Sequence, residues 1–309
     1  MRQFEATPSA SWVGNPQGGV SAPDPILIPD AATRFKRTAA RLAKLADGHP
    51  MAGWLLFLSN VSQAQHEAAQ TIEPPLPDAE IIAKLSGAGM PPFAADGHNR
   101  DPIWLDALHS LVDRFSMASG MPEELAAVID DLEERTDDEL EAMADRFLGA
   151  SVPPEEAGQA LFVAAALQVY FTKLASGLKP DQLNLLPERG LCPCCGSTPV
   201  AGVVTASGKS PGVRYLYCSL CSTAWNYVRA VCVSCGQSGR VSLRGIEEEN
   251  EAIQAETCDD CLTYSKAFYL AKDGEVDAYA DDLASLGLDM MIADAGWARH
   301  APNPLLLAG

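Results

Sequence analysis

The chain has 309 residues, 47% of them hydrophobic, which is enough for two domains with a buried core. Its formal net charge is −19 and its pI is near 4.5. Such a field repels phosphate and argues against nucleic-acid binding, which rests on Lys and Arg neutralising the backbone.

Residues 1–30 are rich in Pro and Gly and read as an extended lead-in. They hold no apolar core of the kind an export signal needs, and prolines at 8, 16, 23, 25 and 29 would break one, so a cytoplasmic protein is expected. Residues 31–186 read as an all-α domain. A first helix over Ala31–Ala46 puts Phe35, Ala39 and Leu42 on one face, with Arg34, Lys36, Arg37, Arg41 and Lys44 around the other. This basic patch reads first as a solvated face, with an acidic partner or the chain's own acidic helices as the alternative. A second helix over Met51–Gln70 aligns Trp54, Leu55, Leu58, Val61 and Ala64 or Gln65, and Pro74, Pro75 and Pro77 stop it.

Shorter helices follow at 78–85, 101–117 and 122–134, with Pro122 at a first-turn position. Thr136 and Glu139 form a capping-box signature for a helix through Leu148. Between 121 and 157 thirteen acids face two arginines, which concentrates the acidity in this stretch. A long helix over 155–176 is apolar nearly all round from Leu161 to Phe171, which predicts burial among other helices. That run is too short to cross a bilayer.

The connector ends where eight cysteines fall into four C-x-x-C pairs: Cys192/Cys195, Cys218/Cys221, Cys232/Cys235 and Cys258/Cys261. The third and fourth pairs repeat the first and second at an offset of 40 residues. The segment is thus a duplication, with units at 187–229 and 230–270, and each has the spacing of a four-thiolate metal site. Gly196 and Gly236 relieve the backbone after the first knuckle of each copy, whereas Ser222 and Leu262 stand at the second. Val200–Thr205 and Val213–Tyr217 suit a short β-ribbon around a turn at 208–212.

Disulfides fit poorly with a chain expected in a reducing compartment, and redox dithiols rarely come doubled at a fixed repeat. Duplication favours sequential sharing over an interleaved cross-brace, with four consecutive motif cysteines per ion. Cys194 reads as a non-ligand. Spacing alone leaves zinc, iron and an iron–sulfur cluster open, with a mononuclear site preferred to a cluster. After Cys261 a β-like or irregular stretch runs to Tyr269, and a helix is expected over 276–293 within a C-terminal region 271–309.

No ordinary active site is apparent. His49, His66, His98, His109 and His300 are scattered and form no ligand pair. The run from Gly202 to Ser210 ends like a phosphate-binding loop but has one residue too many between its glycines, so a ribbon turn is the better reading. Between 186 and 265 eight acids face six basic residues, which gives no basic face for nucleic acid. The expected class is α+β: an N-terminal all-α helical domain, two tandem rubredoxin/zinc-ribbon-like metal-binding β units and a C-terminal helix.

With these motifs in view, the chain resembles the bacterial formate dehydrogenase accessory (FdhE) family. The segments that carry the resemblance are 191–196 (LCPCCG), 214–221 (RYLYCSLC), 256–261 (ETCDDC), 281–286 (DDLASL) and Asn303-Pro304. The resemblance implies a cytoplasmic, non-catalytic assembly factor. It would act on the catalytic subunit of respiratory formate dehydrogenase, a molybdenum and selenocysteine enzyme exported by the twin-arginine pathway, before export. It also implies rubredoxin-like iron at two mononuclear sites, with zinc as the alternative ion. Cys192, Cys195, Cys218, Cys221, Cys232, Cys235, Cys258 and Cys261 match the family's motif cysteines. Cys194 is outside the motif, and Leu262 stands where the family usually has glycine. No membrane insertion is expected, and a homodimer is compatible with the sequence. Competing readings are a stand-alone rubredoxin-like electron carrier and, behind it, a zinc-ribbon nucleic-acid-binding regulator. Asp259 and Asp260, inside a knuckle, are candidates for client contact or simply solvated acids.

Overall fold

The computed structural model describes residues 22–97, 99–206, 211–246 and 251–306. The N-terminal half is a helical body of α1 (Arg34–Leu45), α2 (Ala52–Thr71), α3 (Ala79–Gly87), α4 (Ile103–Ser116), α5 (Glu123–Glu134), α6 (Asp137–Leu148) and α7 (Ala157–Ser176). Helix α7 is the axis of this body, and Leu161 to Thr172 are buried without a break. Each large apolar side chain sequestered there is worth roughly 1.5–3 kcal/mol. Helix α2 buries Leu55, Leu58, Val61, Ala64, Gln65 and Ala68, a stripe at helical spacing turned toward α1, α4 and α7. The capping box holds: Thr136 Oγ1 accepts from the Glu139 amide while the Glu139 carboxylate accepts from the Thr136 amide at 2.9 Å. Among the described residues no helix is long and apolar enough to cross a membrane.

The second half supplies β2 (Pro199–Val204), β3 (Arg214–Cys218), β4 (Ala224–Asn226), β5 (Val241–Arg244), β6 (Ile253–Cys258), β7 (Thr263–Tyr269) and β8 (Ala298–Arg299). The lead-in adds β1 (Ile26–Leu27), which pairs antiparallel with β4 and buries Ile26. The two cysteine copies were expected as separate ribbons, but they form one sheet of order β1-β4-β3-β2-β7-β6-β5, with β8 on β7. The copies join through unlike strands: β2 of the first lies parallel to β7 of the second, Val203 opposite Phe268. This seam leaves neither strand with an open edge. The irregular alternative for the stretch after Cys261 gives way to a full strand for the same reason. The turn expected at 208–212 lies largely outside the described residues, as does His98.

Two further expectations are corrected. The basic face of α1 is not simply solvated. Arg41 is buried and holds the Asp281 carboxylate at 2.7 and 3.0 Å and Asp273 at 2.6 Å. Lys44 pairs with Glu275. Lys36 and Arg37 face solvent and have no ion pair among the described residues, while the chain's own C-terminal acids neutralise much of the rest.

The helix expected over 276–293 is two pieces, α8 (Ala280–Ala284) and α9 (Leu286–Asp294). Ser285 leaves the helical region at φ −114° and ψ 36°, and its hydroxyl turns back to the Asp281 carbonyl at 2.6 Å. Fully buried Lys266 holds this break, donating to Ser285 Oγ at 2.9 Å and the Asp282 carbonyl at 2.8 Å. The same ammonium meets Asp289 at 2.6 Å, while Arg299 and Asn303 close on Asp282. Buried charge demands such complete pairing, which explains why local helical periodicity loses here.

Candidate metal centres

Each cysteine pair sits on a tight turn. In the first copy the Gly196 amide closes on the Cys192 carbonyl at 2.8 Å, and in the second the Gly236 amide closes on Cys232 at 3.0 Å. The residue after each knuckle takes left-handed backbone: Gly196 (φ 77°), Ser222 (60°), Gly236 (72°) and Leu262 (52°). Glycine accepts this freely, whereas a non-glycine residue there costs roughly 1–2 kcal/mol. All four turns therefore share one geometry, although only two carry glycine.

The turns aim eight sulfurs at two points. Cys192, Cys195, Cys218 and Cys221 converge at one, and Cys232, Cys235, Cys258 and Cys261 at the other, with all sulfurs of a group within 4.8 Å of one another. The sharing is thus sequential. Cross-pair separations are 3.5 Å (Cys192–Cys221) and 3.4 Å (Cys195–Cys218) in the first centre, and 3.6 Å (Cys232–Cys261) and 3.8 Å (Cys235–Cys258) in the second. None is a bonding distance for sulfur. A tetrahedral ion with metal–sulfur bonds of about 2.3 Å needs edges of about 3.8 Å, so both donor sets fit one such ion each. No histidine or carboxylate joins either cluster among the described residues.

The first and last cysteines of each copy shift in the same opposed directions. Burial pushes the Cys192 and Cys218 thiols well up. Burial also opposes a Cys221 thiolate, yet hydrogen bonds from Cys192, Cys194, Cys195 and Cys218 hold it well below the usual thiol range. In the second centre burial raises Cys232. Cys261 is brought down to about 7, because bonds from Thr263, Cys235 and Cys232 outweigh burial. The last cysteine of each copy is thus the one held below the usual thiol range. A threonine hydroxyl stands beside it both times: Thr223 Oγ1 lies 3.2 Å from Cys221 Sγ and Thr263 Oγ1 lies 3.0 Å from Cys261 Sγ. These threonines also obey the 40-residue offset, a signal in the sequence that cysteine spacing alone does not use.

The centres differ in their surroundings. The first is sealed in the main core, with all four sulfurs buried. Its knuckles are gripped by the helical body: the Phe93 and Ala95 amides, between α3 and α4, donate to the Cys194 and Cys195 carbonyls at 3.0 and 2.8 Å. From α7, Gln168 donates to the Ser219 carbonyl at 2.8 Å, and the Thr172 hydroxyl meets Ser222 Oγ at 2.9 Å. Arg34 of α1 donates to the same Ser222 oxygen at 3.0 Å, its guanidinium stacked 3.6 Å above the Tyr279 ring. Tyr279 in turn donates to the Cys218 carbonyl at 2.9 Å. Cys194 is buried with its thiol in hydrogen-bond reach of Cys221, and that contact together with burial pushes it up. It stands outside the four-sulfur group.

The second centre lies at the rim, where Cys235 and Cys261 reach the surface and Leu262 is 56% exposed. Asp260 pairs with Arg240 at 3.4 Å. Arg214 binds the two copies together: fully buried, it pairs with Glu256 of β6 and donates to the Val228 and Val231 carbonyls of the linker at 2.7 and 2.9 Å. Gly190 marks another close approach, since a Cβ there would sit 2.4 Å from the Val233 carbonyl. The bracing residues Arg34, Gln168, Thr172 and Tyr279 carry no motif and were not legible as site residues.

Fold and site together define a class: a helical protein whose core encloses one of two duplicated four-thiolate centres. The comparisons make the assignment specific. Family models for the FdhE N-terminal, central and C-terminal domains match residues 23–188, 191–229 and 230–306. The FdhE homolog of Edwardsiella ictaluri is 37% identical over 286 residues, and FdhE of Escherichia coli K12 is 35% identical over 294, each match covering 92% of both chains. The crystal structure of the FdhE protein from Pseudomonas aeruginosa superposes with a TM-score of 0.83 at 35% identity, covering 92% of this chain and 99% of that one. The chain belongs to the FdhE family.

Proposed function

We propose that this protein is a cytoplasmic assembly factor that binds the catalytic subunit of a respiratory formate dehydrogenase before export and performs no catalysis of its own. Family membership supports the accessory role. The observation that carries the reading is the grip of α1 and α7 on the knuckles of the first centre through Arg34, Gln168 and Thr172. A helical body that recognises a client is thereby stiffened by the metal, and the second centre remains available at the rim. Each set of four thiolates would hold one mononuclear ion, iron in a rubredoxin-like setting, with zinc as the other ion such a donor set accepts.

A pull-down tests the reading. The unmodified chain is expected to retain the catalytic subunit, and a Cys258→Ala/Cys261→Ala double variant to retain much less. Equal retention would remove the second centre from client binding. Metal analysis and the visible spectrum of anaerobically purified protein decide between iron and zinc.

A second reading, a rubredoxin-like electron carrier, draws on the surface position of Cys235 and Cys261. It requires a reversible one-electron couple in a redox titration, and zinc at both centres would end it.

A further inference from the structure

Apart from both centres, and lined by no cysteine, an open groove of about 730 Å³ runs between α2, the end of α4, α5 and α7. Its floor is a connected aromatic cluster of Trp54, Phe57, Phe115 and Phe162, with ring centroids 5.2–6.5 Å apart. Leu56 on its wall is 47% exposed, and Met117 beside the α4 end is 85% exposed. Apolar surface concentrated on one face marks a place where another chain lies.

The flank tells what kind of chain. Glu124 lines the groove and belongs to the stretch 121–157, with its thirteen acids. The two arginines of that stretch are already engaged, Arg135 with Asp131 and Arg146 with Glu156. Arg100 likewise takes up Glu141 and Asp145. The groove therefore pairs an apolar floor with one charged lining residue, Glu124 at the start of α5, with Glu123 exposed beside it.

We infer that this groove receives a segment of the client polypeptide, apolar where it crosses the aromatic floor and bearing Lys or Arg at the end that faces α5. The inference rests on the client-binding reading above and names its surface. An amphipathic helix laid into an apolar groove is a common mode of peptide capture, and basic residues on an acidic flank fix its direction. A second copy of this chain fits worse, because it carries the same formal net charge of −19 and is repelled as a whole. The chain's own first 21 residues carry one basic residue, Arg2, against one acid, Glu5, and gain nothing from the flank.

Gly53 provides the test. It lines the groove on the exposed side of α2, and a Cβ added there meets nothing within 4 Å. Gly53→Phe therefore fills the groove while leaving the fold intact, which an unchanged melting temperature confirms. The probe is a fluorescein-labelled peptide with two arginines ahead of a Leu/Ala-rich helix, read by anisotropy against the full chain. Binding is expected, weaker by at least about tenfold for Gly53→Phe, a loss of about 1.4 kcal/mol. Replacing the arginines by glutamates should cost a similar factor at low salt. Glu124→Arg should reverse that preference.

Equal binding to Gly53→Phe, or indifference to the peptide's charge, overturns the proposal. Tighter binding after deletion of residues 1–21 would make that segment the occupant, and loss of a dimer in Gly53→Phe would make a second copy the occupant; either result also overturns it. Pull-downs separate this proposal from the client reading. If the unmodified chain captures the catalytic subunit and Gly53→Phe captures it equally, the groove is wrong and the client reading stands. If the peptide binds the groove but the unmodified chain captures no catalytic subunit, the client reading fails alone.

Discussion

The two halves of the duplicated segment began as the same unit and have come to different situations. Their strands still correspond, since β3 at Arg214–Cys218 maps onto the last residues of β6 at Ile253–Cys258 at the 40-residue offset. Their turns place a left-handed residue at the same positions, and in each the thiol held below its usual range lies beside an equivalent threonine. What differs is the neighbour. The first centre is walled in by α1, α7 and the α3–α4 loop, whereas the second faces water through Cys235 and Cys261. The same four-thiolate donor set is thus built into the core in one place and set at the surface in the other, depending on what packs around it.

The largest consequence is in folding. Binding of a structural ion is worth on the order of 10–16 kcal/mol, comparable with the whole stability of a domain. Cys218→Ala should therefore unfold the helical body along with the first centre, seen as collapse of the far-UV circular dichroism. Cys258→Ala should keep the helical signal and lose one bound ion. If both variants keep their helices, the structural role of the first centre is broken.

A second contrast is kinetic. A chromogenic chelator should take one equivalent of metal promptly and the other only as the chain unfolds. Release in a single phase would erase the distinction between the centres.

Arg214 measures how far the copies depend on each other. Arg214→Ala leaves Glu256 buried without its partner and should cost about 3–5 kcal/mol in denaturant unfolding. A much smaller loss would mean that the copies are nearly independent.

The smallest effect is the sharpest, because one substitution should have opposite signs at equivalent positions. Leu262→Gly relieves left-handed backbone on an exposed side chain and should stabilise by roughly 1 kcal/mol. Ser222→Gly gains the same relief but loses the hydroxyl that meets Arg34 and Thr172, so it should destabilise by roughly 1 kcal/mol. Thermal melts of the two variants read the signs directly.

Acid sharpens the picture outside the centres. Although burial opposes it, the charges of Lys266 and Arg299 hold the Asp282 carboxyl below its usual range. Its contribution is present above the ordinary carboxylate pKa and is lost as pH falls through the lower, folded value. The Asp282→Asn variant should therefore lose stability at neutral pH, and its deficit should shrink in strong acid.

Much of this was legible in the chain because its signals were local. The helices from α2 to α7 declared themselves through apolar stripes, prolines and the Thr136–Glu139 cap, and the 40-residue repeat foretold how sulfurs would be grouped. The misses were all contacts between distant segments. Nothing near Arg41 announces Asp281, and nothing in β2 announces β7, so α1 looked solvated and the copies looked separate. Lys266 breaks the C-terminal helix at Ser285 from nineteen residues away, beyond the reach of any periodicity. The residues that brace the first centre escaped for the same reason, since a Gln or Thr on a helix carries no sign of which turn it will hold.

The parallel seam between β2 and β7 sets an order of events as the chain is made. Val203 must wait for Phe268 before its outer edge is covered. During synthesis, the first copy can close on its own ion while one flank still offers bare amides and carbonyls to any passing strand. The late arrival of β7 is thus the step that covers the open side of β2, and a ribosome stalled shortly before residue 263 would leave that side bare for longest.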